Sequence, residues 1–207
     1  MKNKIKYLFG GILILIVFIL VSYILQINMD FFEDNLDKGI YGILIYIIIV
    51  IFATVIAPIS AIPLLPVAVF LWGWFYAALF SVIAWTIGAV IAFILARKYG
   101  VNIVKKFVSM EKINYYEKFI PKKDLFIGII LVRMFLPVDL FSYLLGLFSK
   151  VDLKTYTIAT FMGVIPFALV LSYIGSLSIM YQVVSFVFGG IGFLFLYYKF
   201  SKMRRIK

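Results

Sequence analysis

From Gly39 to Ala96 the chain carries no charged residue, and no other feature restricts its fold so strongly. A water-soluble domain has no way to bury so long an uncharged run, whereas a bilayer calls for one, since a spanning helix takes about 20 apolar residues. The whole chain agrees: 65% of its 207 residues are hydrophobic, 14% are charged and the mean hydropathy is +1.14. These values describe an integral membrane protein.

Within the uncharged run, helix boundaries must come from punctuation. Pro58, Pro63 and Pro66 cluster in APISAIPLLP, and each lacks a backbone donor and disfavours helix in the residue before it. The spacing predicts a helix from near Ile40 that breaks between Ala57 and Pro66. A second arm then runs to Gly73, and a spanning helix covers Tyr76–Ala96. Gly88, with Ala84, Ala89 and Ala92, suits that helix to close packing.

A second anomaly is Leu125–Gly146, LFIGIILVRMFLPVDLFSYLLG, apolar enough to enter a bilayer yet holding Arg133, Pro137 and Asp139 near its middle. Each charge costs roughly 2.5–3.5 kcal/mol at the centre of a membrane helix on insertion scales. The expected solution is a broken, re-entrant segment lining a polar site between helices, where irregular backbone at membrane depth is tolerated.

Elsewhere Tyr7–Met29 reads as a retained first helix, Thr155–Tyr173 and Tyr181–Tyr198 read as spans, and the stretch after Met29 is acidic. Eight of the 20 basic residues fall in Arg97–Lys123, where apolar residues at near-helical spacing suggest an amphipathic helix on the membrane surface. The units are 1–38, an N-terminal helix and acidic loop; 39–180, the membrane domain; and 181–207, a C-terminal helix and basic tail. Trp72, Trp74 and Trp85 include two suited to an interfacial belt.

Two parts of the chain correspond at an offset of about 75 residues. Gly88 matches Gly163, Trp72–Gly73 corresponds to Leu145–Gly146, and the Pro63/Pro66 cluster corresponds to the break at Pro137. Lysine and arginine accumulate in cytoplasmic loops. If the N-terminus is cytoplasmic, every basic residue except Lys38 and Arg133 lies inside when the two broken segments re-enter from opposite faces, and equally when each spans as a tight hairpin; arms short of roughly 20 residues favour re-entry. The expected fold is therefore an all-α polytopic membrane protein. It is an inverted repeat of two opposed re-entrant broken helices, each followed by a spanning helix, with flanking N- and C-terminal transmembrane helices and both termini cytoplasmic in a cell membrane.

The run RMFLPVDLFSYLLGL, Arg133–Leu147, followed by TFMGVIP and YIGSLS, resembles the second signature of the DedA superfamily, in the branch of SNARE-associated Golgi or VTT-domain proteins. Pro63–Gly100 resembles the first. The resemblance implies a role in lipid translocation: scrambling of phospholipid or recycling of a polyprenyl-phosphate carrier. Arg133, Pro137, Asp139, Tyr143 and Gly146 match the second signature, and Pro63, Pro66, Gly88, Arg97 and Gly100 the first, with Gly73 and Gly163 completing the repeat. The arginine-to-proline spacing is shortened, and the acidic residue that some bacterial members carry in the first half is missing.

Chemistry narrows the classes further. Without histidine or cysteine, imidazole bases, thiolates and the usual zinc sites are absent, and Asp139 has no second deep carboxylate for an aspartyl mechanism. The expectation is no enzyme and no cofactor. A net charge of +11 beside hydrophobic segments points to topology and anionic lipid, not nucleic acid. Arg133 suits a lipid phosphate, since guanidinium presents a planar fork of donors, or else an ion pair with Asp139. The expected partners are membrane lipids, anionic phospholipid or lipid phosphate, and an oligomer is compatible with the sequence. The alternatives are a transporter of a small soluble ion and a non-transporting membrane-homeostasis factor.

Overall fold

The computed structural model describes residues 2–31, 36–56, 60–107, 124–135 and 139–204, with side chains from residue 10 onward except at 101–103, 105–107, 135, 139 and 193–204. Among the described residues all regular structure is helical. In order these are α1 (Lys2–Ile27), α2 (Ile40–Val55), a 3-10 turn (Ile62–Leu64), α3 (Leu65–Phe107), α4 (Leu125–Phe135), α5 (Asp139–Phe148), α6 (Leu153–Gly175) and α7 (Ile179–Arg204). Among the described residues three segments are long and apolar enough to cross a membrane: Gly10–Ile27, Ile62–Gly100 and Leu153–Gly175. The protein is a helical membrane protein.

The helix α2, IYGILIYIIIVIFATV, is rich in β-branched residues that favour strands in water. In a bilayer, satisfying the backbone within the segment outweighs that preference. Its start is capped from outside: the Asp37 carboxylate accepts from the N–H groups of Gly39 (2.7 Å) and Gly42 (3.1 Å). A Cβ at Gly42 would lie 1.9 Å from the Asp37 carbonyl oxygen, so only glycine lets the incoming chain cross this first turn. The helix ends at Val55, two residues before the expected break.

Pro63 and Pro66 prove to be starters as much as breakers. Pro63 lies in the 3-10 turn and Pro66 is the second residue of α3, in the first turn where a missing N–H leaves nothing unbonded. The hydrogen-bonded helix α3 is interrupted by Gly73 (φ 76°) and Gly100 (φ 62°). Both are conformations that an L side chain rarely adopts. The rod between them is about 40 Å long at 1.5 Å per residue, enough to cross a bilayer. The amphipathic helix expected over 97–123 is helical as far as Phe107, and 108–123 lie outside the described residues.

Helices α3 and α6 form the antiparallel centre. Trp74 meets Tyr173, Ala78 and Val82 pack with Val164 and Ala168, and Phe93 stacks on Tyr156. Small buried residues, Ala77, Ala84, Ala89, Ala92 and Ala96 with Ala159 and Gly163, bring the backbones close. Close approach matters in lipid, where packing rather than water exclusion holds helices together.

Two broken-arm hairpins lean on this pair. Ile51 and Thr54 of α2 sit against Gly88, where a Cβ would come within 2.7 Å of the Thr54 Cβ. Ile130 and Arg133 of α4 sit in the same way against Gly163, with 2.7 Å to the Arg133 Cβ. The returning arms exchange partners: Val69 packs on Gly175 at the end of α6, while Gly146 of α5 abuts Phe93 and Ala96 near the end of α3. Helix α1 packs across the first hairpin and touches α7, which also meets α6.

Candidate functional site

The site is built where α4 ends against the middle of α6. Arg133, in the last turn of α4, is 1% exposed and ranks among the largest fully buried side chains of the described residues. Its Nη2 donates to the Ser142 hydroxyl of α5 (3.1 Å) and to the Tyr156 hydroxyl of α6 (2.6 Å). Tyr156 in turn donates to the Ala89 carbonyl of α3 (3.1 Å), so four helices meet at one guanidinium. Gly163 makes this possible: with no Cβ, it lets the Arg133 stem lie directly on α6.

Tyr143, also on α5 and fully buried, donates its hydroxyl to the Val55 carbonyl at the end of α2. That bond ties the end of α2 in one hairpin to α5 in the other. It also gives a partner to a carbonyl that the end of a helix leaves unsatisfied.

The first half holds the neutral counterpart of the same arrangement. Thr54 occupies the place against Gly88 that Arg133 occupies against Gly163, and its hydroxyl bonds back to the Val50 carbonyl at 2.8 Å. Ser81 donates to the Ala77 carbonyl (2.6 Å), so its 2.7 Å contact with Tyr46 has the tyrosine as donor. The charge is confined to the second half.

Arg97 reaches across from α3 to the end of α5. Its Nη2 donates to the carbonyls of Leu145 (3.3 Å) and Ser149 (2.6 Å), its Nη1 to that of Val151 and its Nε to that of Gly146 (3.4 Å). A fixed cation thus caps the C-terminal end of α5, where the helix dipole and its orphan carbonyls favour positive charge. Its guanidinium carbon also lies 4.4 Å from the Phe93 ring centre. Phe93 stacks on Tyr156 at 4.0 Å, and the Arg133 guanidinium carbon is 5.5 Å from the Tyr156 ring centre. The two arginines are therefore joined by two aromatic rings in a column.

Of the expected site residues, Arg133 bonds to Ser142 of α5, and the neighbouring Tyr143 reaches the end of α2. Gly146 lies in helix packing, with its carbonyl on Arg97, and Gly73 and Gly100 lie at the interruptions of α3. Pro137 lies outside the described residues, and Asp139 begins α5 with its side chain outside them. Sequence reasoning missed Ser142 and Tyr156. The signal for Tyr156 was present: with Gly163 it forms an i, i+7 pair on one face of α6. Among the described residues no cluster of acidic side chains could hold a metal ion.

A family model described as the VTT domain matches residues 57–177, more than half of the chain. The protein belongs to the VTT-domain family. This is the domain of the DedA and SNARE-associated Golgi proteins, so the family expected from the two signatures is the one found. The matched region holds both hairpin returns, Gly88, Arg97, Arg133, Tyr156 and Gly163, whereas α1 and α7 flank it. No curated protein and no solved structure matches the chain.

Proposed function

We propose that this VTT-domain protein moves phospholipid or a polyprenyl-phosphate-type lipid between leaflets, with Arg133 as the phosphate contact at the meeting point of the two hairpins. The single observation behind this reading is a guanidinium buried in the middle of four apolar helices and held by the hydroxyls of Ser142 and Tyr156. Guanidinium binds phosphate in a bidentate manner, and hydroxyl partners can donate as well as accept, so they can follow an arriving phosphate oxygen. A charge at that depth is costly, and such residues mark substrate pathways in membrane proteins.

The same reading takes the hairpins as re-entrant and the halves as inverted. Three of the arms are short of the roughly 20 residues needed to span: α2 has 16 residues, α4 11 and α5 10. The glycine seats at 88 and 163 and the exchanged return arms support a twofold relation between halves. The distribution of lysine and arginine favours cytoplasmic termini in a cell membrane. We read the protein as a non-enzymatic carrier whose lipid leaves unchanged.

The test is leaflet exchange in vesicles, using labelled anionic and zwitterionic phospholipids and a polyprenyl phosphate, at two pH values and with or without a membrane potential. Loaded vesicles should exchange a phosphate-bearing lipid faster than empty ones, and Arg133→Ala should slow that exchange at least tenfold, the equivalent of about 1.4 kcal/mol. Equal rates in loaded and empty vesicles would sink the proposal. Stabilisation by inorganic phosphate without lipid exchange would move the function to a small soluble anion.

A further inference from the structure

A second polar cluster lies away from Arg133, at the seam of α1, the α6–α7 turn and α7. Gln182 is 0% exposed, and its Nε2 donates to the carbonyls of Gly175 (3.2 Å) and Leu177 (2.8 Å). Gln26 of α1 donates to the same Leu177 carbonyl at 3.2 Å. Two amides from different helices thus hold one turn.

Three atoms at this seam have no partner in the structure: Gln182 Oε1, Ser22 Oγ and Ser172 Oγ. Ser22 is 2% exposed and Ser172 0%. Register places them on adjoining turns. Phe18 packs on Phe186 with ring centres 5.4 Å apart, and Gln26 reaches Leu177, so α1 and α7 run antiparallel with Ser22 opposite Gln182. Ser172 lies one turn before Gly175, whose added Cβ would be 3.3 Å from the Phe18 ring.

Other hydroxyls in these helices divide: Thr86 of α3 and Thr160 of α6 also lack a partner, whereas others bond back to the chain. Thr54, Ser81, Ser149 and Thr157 each bond back to the carbonyl four residues earlier. Ser22 and Ser172 forgo that default, although a buried polar atom without a partner is costly and uncommon. What sets this seam apart is that three such atoms lie on its adjoining turns, and that concentration points to a polar guest.

The chemistry of the guest follows from what it must satisfy. Gln182 Oε1 can only accept, while the serine hydroxyls can donate or accept. The polar groups that face the seam, two amides, two hydroxyls and two carbonyls, are all neutral, so a charged guest would be left uncompensated in an apolar setting. The depth is that of lipid headgroups: exposed Tyr23, Tyr173, Tyr181 and Trp74 surround this end, the usual position of an aromatic belt.

We propose that the α1–α6–α7 seam is a binding site for a single neutral hydroxyl group, donated to Gln182 Oε1 and accepting from Ser22 or Ser172, which a water molecule or a polyol lipid headgroup can supply. The site is independent of the Arg133 reading, and two of its three helices lie outside the matched family region.

Thermal unfolding of the full chain in detergent tests it by sign. With a guest bound, at least one of Ser22→Ala and Ser172→Ala lowers Tm, by roughly 2–4 °C. If the hydroxyls are merely buried without partners, deleting them removes a desolvation cost and Tm rises. A rise or no change in both overturns the proposal, as does stabilisation that requires sodium. A second measurement uses the cysteine-free background. The thiol of Ser22→Cys should react with methyl methanethiosulfonate in the folded protein, and no reaction would mean a sealed, dry seam and overturn the site. Monooleoylglycerol separates the sources. Stabilisation of the wild type but not of the alanine variants, with slowed thiol reaction, identifies a lipid hydroxyl; no effect beyond that of methyl oleate, with Tm still lowered by alanine, identifies water.

Discussion

At the scale of single residues, the two halves differ most at the seats formed by Gly88 and Gly163. Gly163→Ala would set a Cβ 3.0 Å from the Ile130 carbonyl oxygen and 2.7 Å from the Arg133 Cβ, and neither neighbour is the loose end of a side chain. Overpacking of this kind costs about 1–3 kcal/mol. Gly163→Ala should therefore lower Tm clearly, whereas Gly189→Ala, with nothing within 4 Å of its added Cβ, should leave it unchanged. Equal Tm values for the two would remove the argument for glycine at the seat. Tyr156→Phe deletes both the acceptor for Arg133 and the donor to Ala89, at a cost of about 1–3 kcal/mol, and should slow lipid exchange along with the loss of stability. The sequence marked Arg133 and Gly163 plainly, because a charge and a small residue stand out in an apolar run. It did not mark Ser142, since one serine among many apolar neighbours carries no sign of what it faces.

At the scale of elements, the end of α5 and the start of α6 are held by opposite devices. Arg97 fans its fork over carbonyls at the end of α5, and a lysine, as a compact point charge, cannot reproduce that spread. Arg97→Lys should raise amide hydrogen exchange across 145–151 while leaving α2 untouched; unchanged exchange there would show that the cap contributes little. The next helix begins with a side-chain cap. Asp152 accepts from the Thr155 N–H at 2.9 Å, and this bond holds its carboxyl below the usual carboxylate range. With the folded value depressed, the stabilisation is present above the ordinary range and is lost as the pH falls through the lowered value. Acid should therefore fray the first turn of α6, seen as faster exchange at Thr155. Asp152→Asn, which caps without titrating, should make that exchange insensitive to acid.

At the scale of the whole molecule, the pairing of α3 with α6 sets where everything else can go. Each hairpin leans on the glycine of one rod and returns across the end of the other, so neither half can pack without its partner. The orientation proposed for the membrane can be read directly, because the chain has no cysteine. Single cysteines replacing Lys38 and Lys150 should be labelled by a membrane-impermeant thiol reagent from opposite sides, Lys38 from outside. Labelling of both from one side would rule out the opposed-hairpin arrangement.

Sequence by itself determined the solvent, the helical class, the break near Pro63 and Pro66, the family, and the two residues least at home in lipid, Arg133 and Asp139. The family rests on the resemblance of two signature runs; the others follow from composition, from the lost donors of proline and from the cost of charge, none of which needs a partner to be identified. Only the tertiary structure decided what each of these meets. Arg97, one basic residue among eight in its segment, became the cap of α5, and Tyr156, one aromatic among many, became the hinge between Arg133 and Ala89. The physical reason is that hydrogen-bond partners lie across helices, dozens of residues apart in the chain. An apolar sequence repeats too few residue types to encode which of its faces will touch.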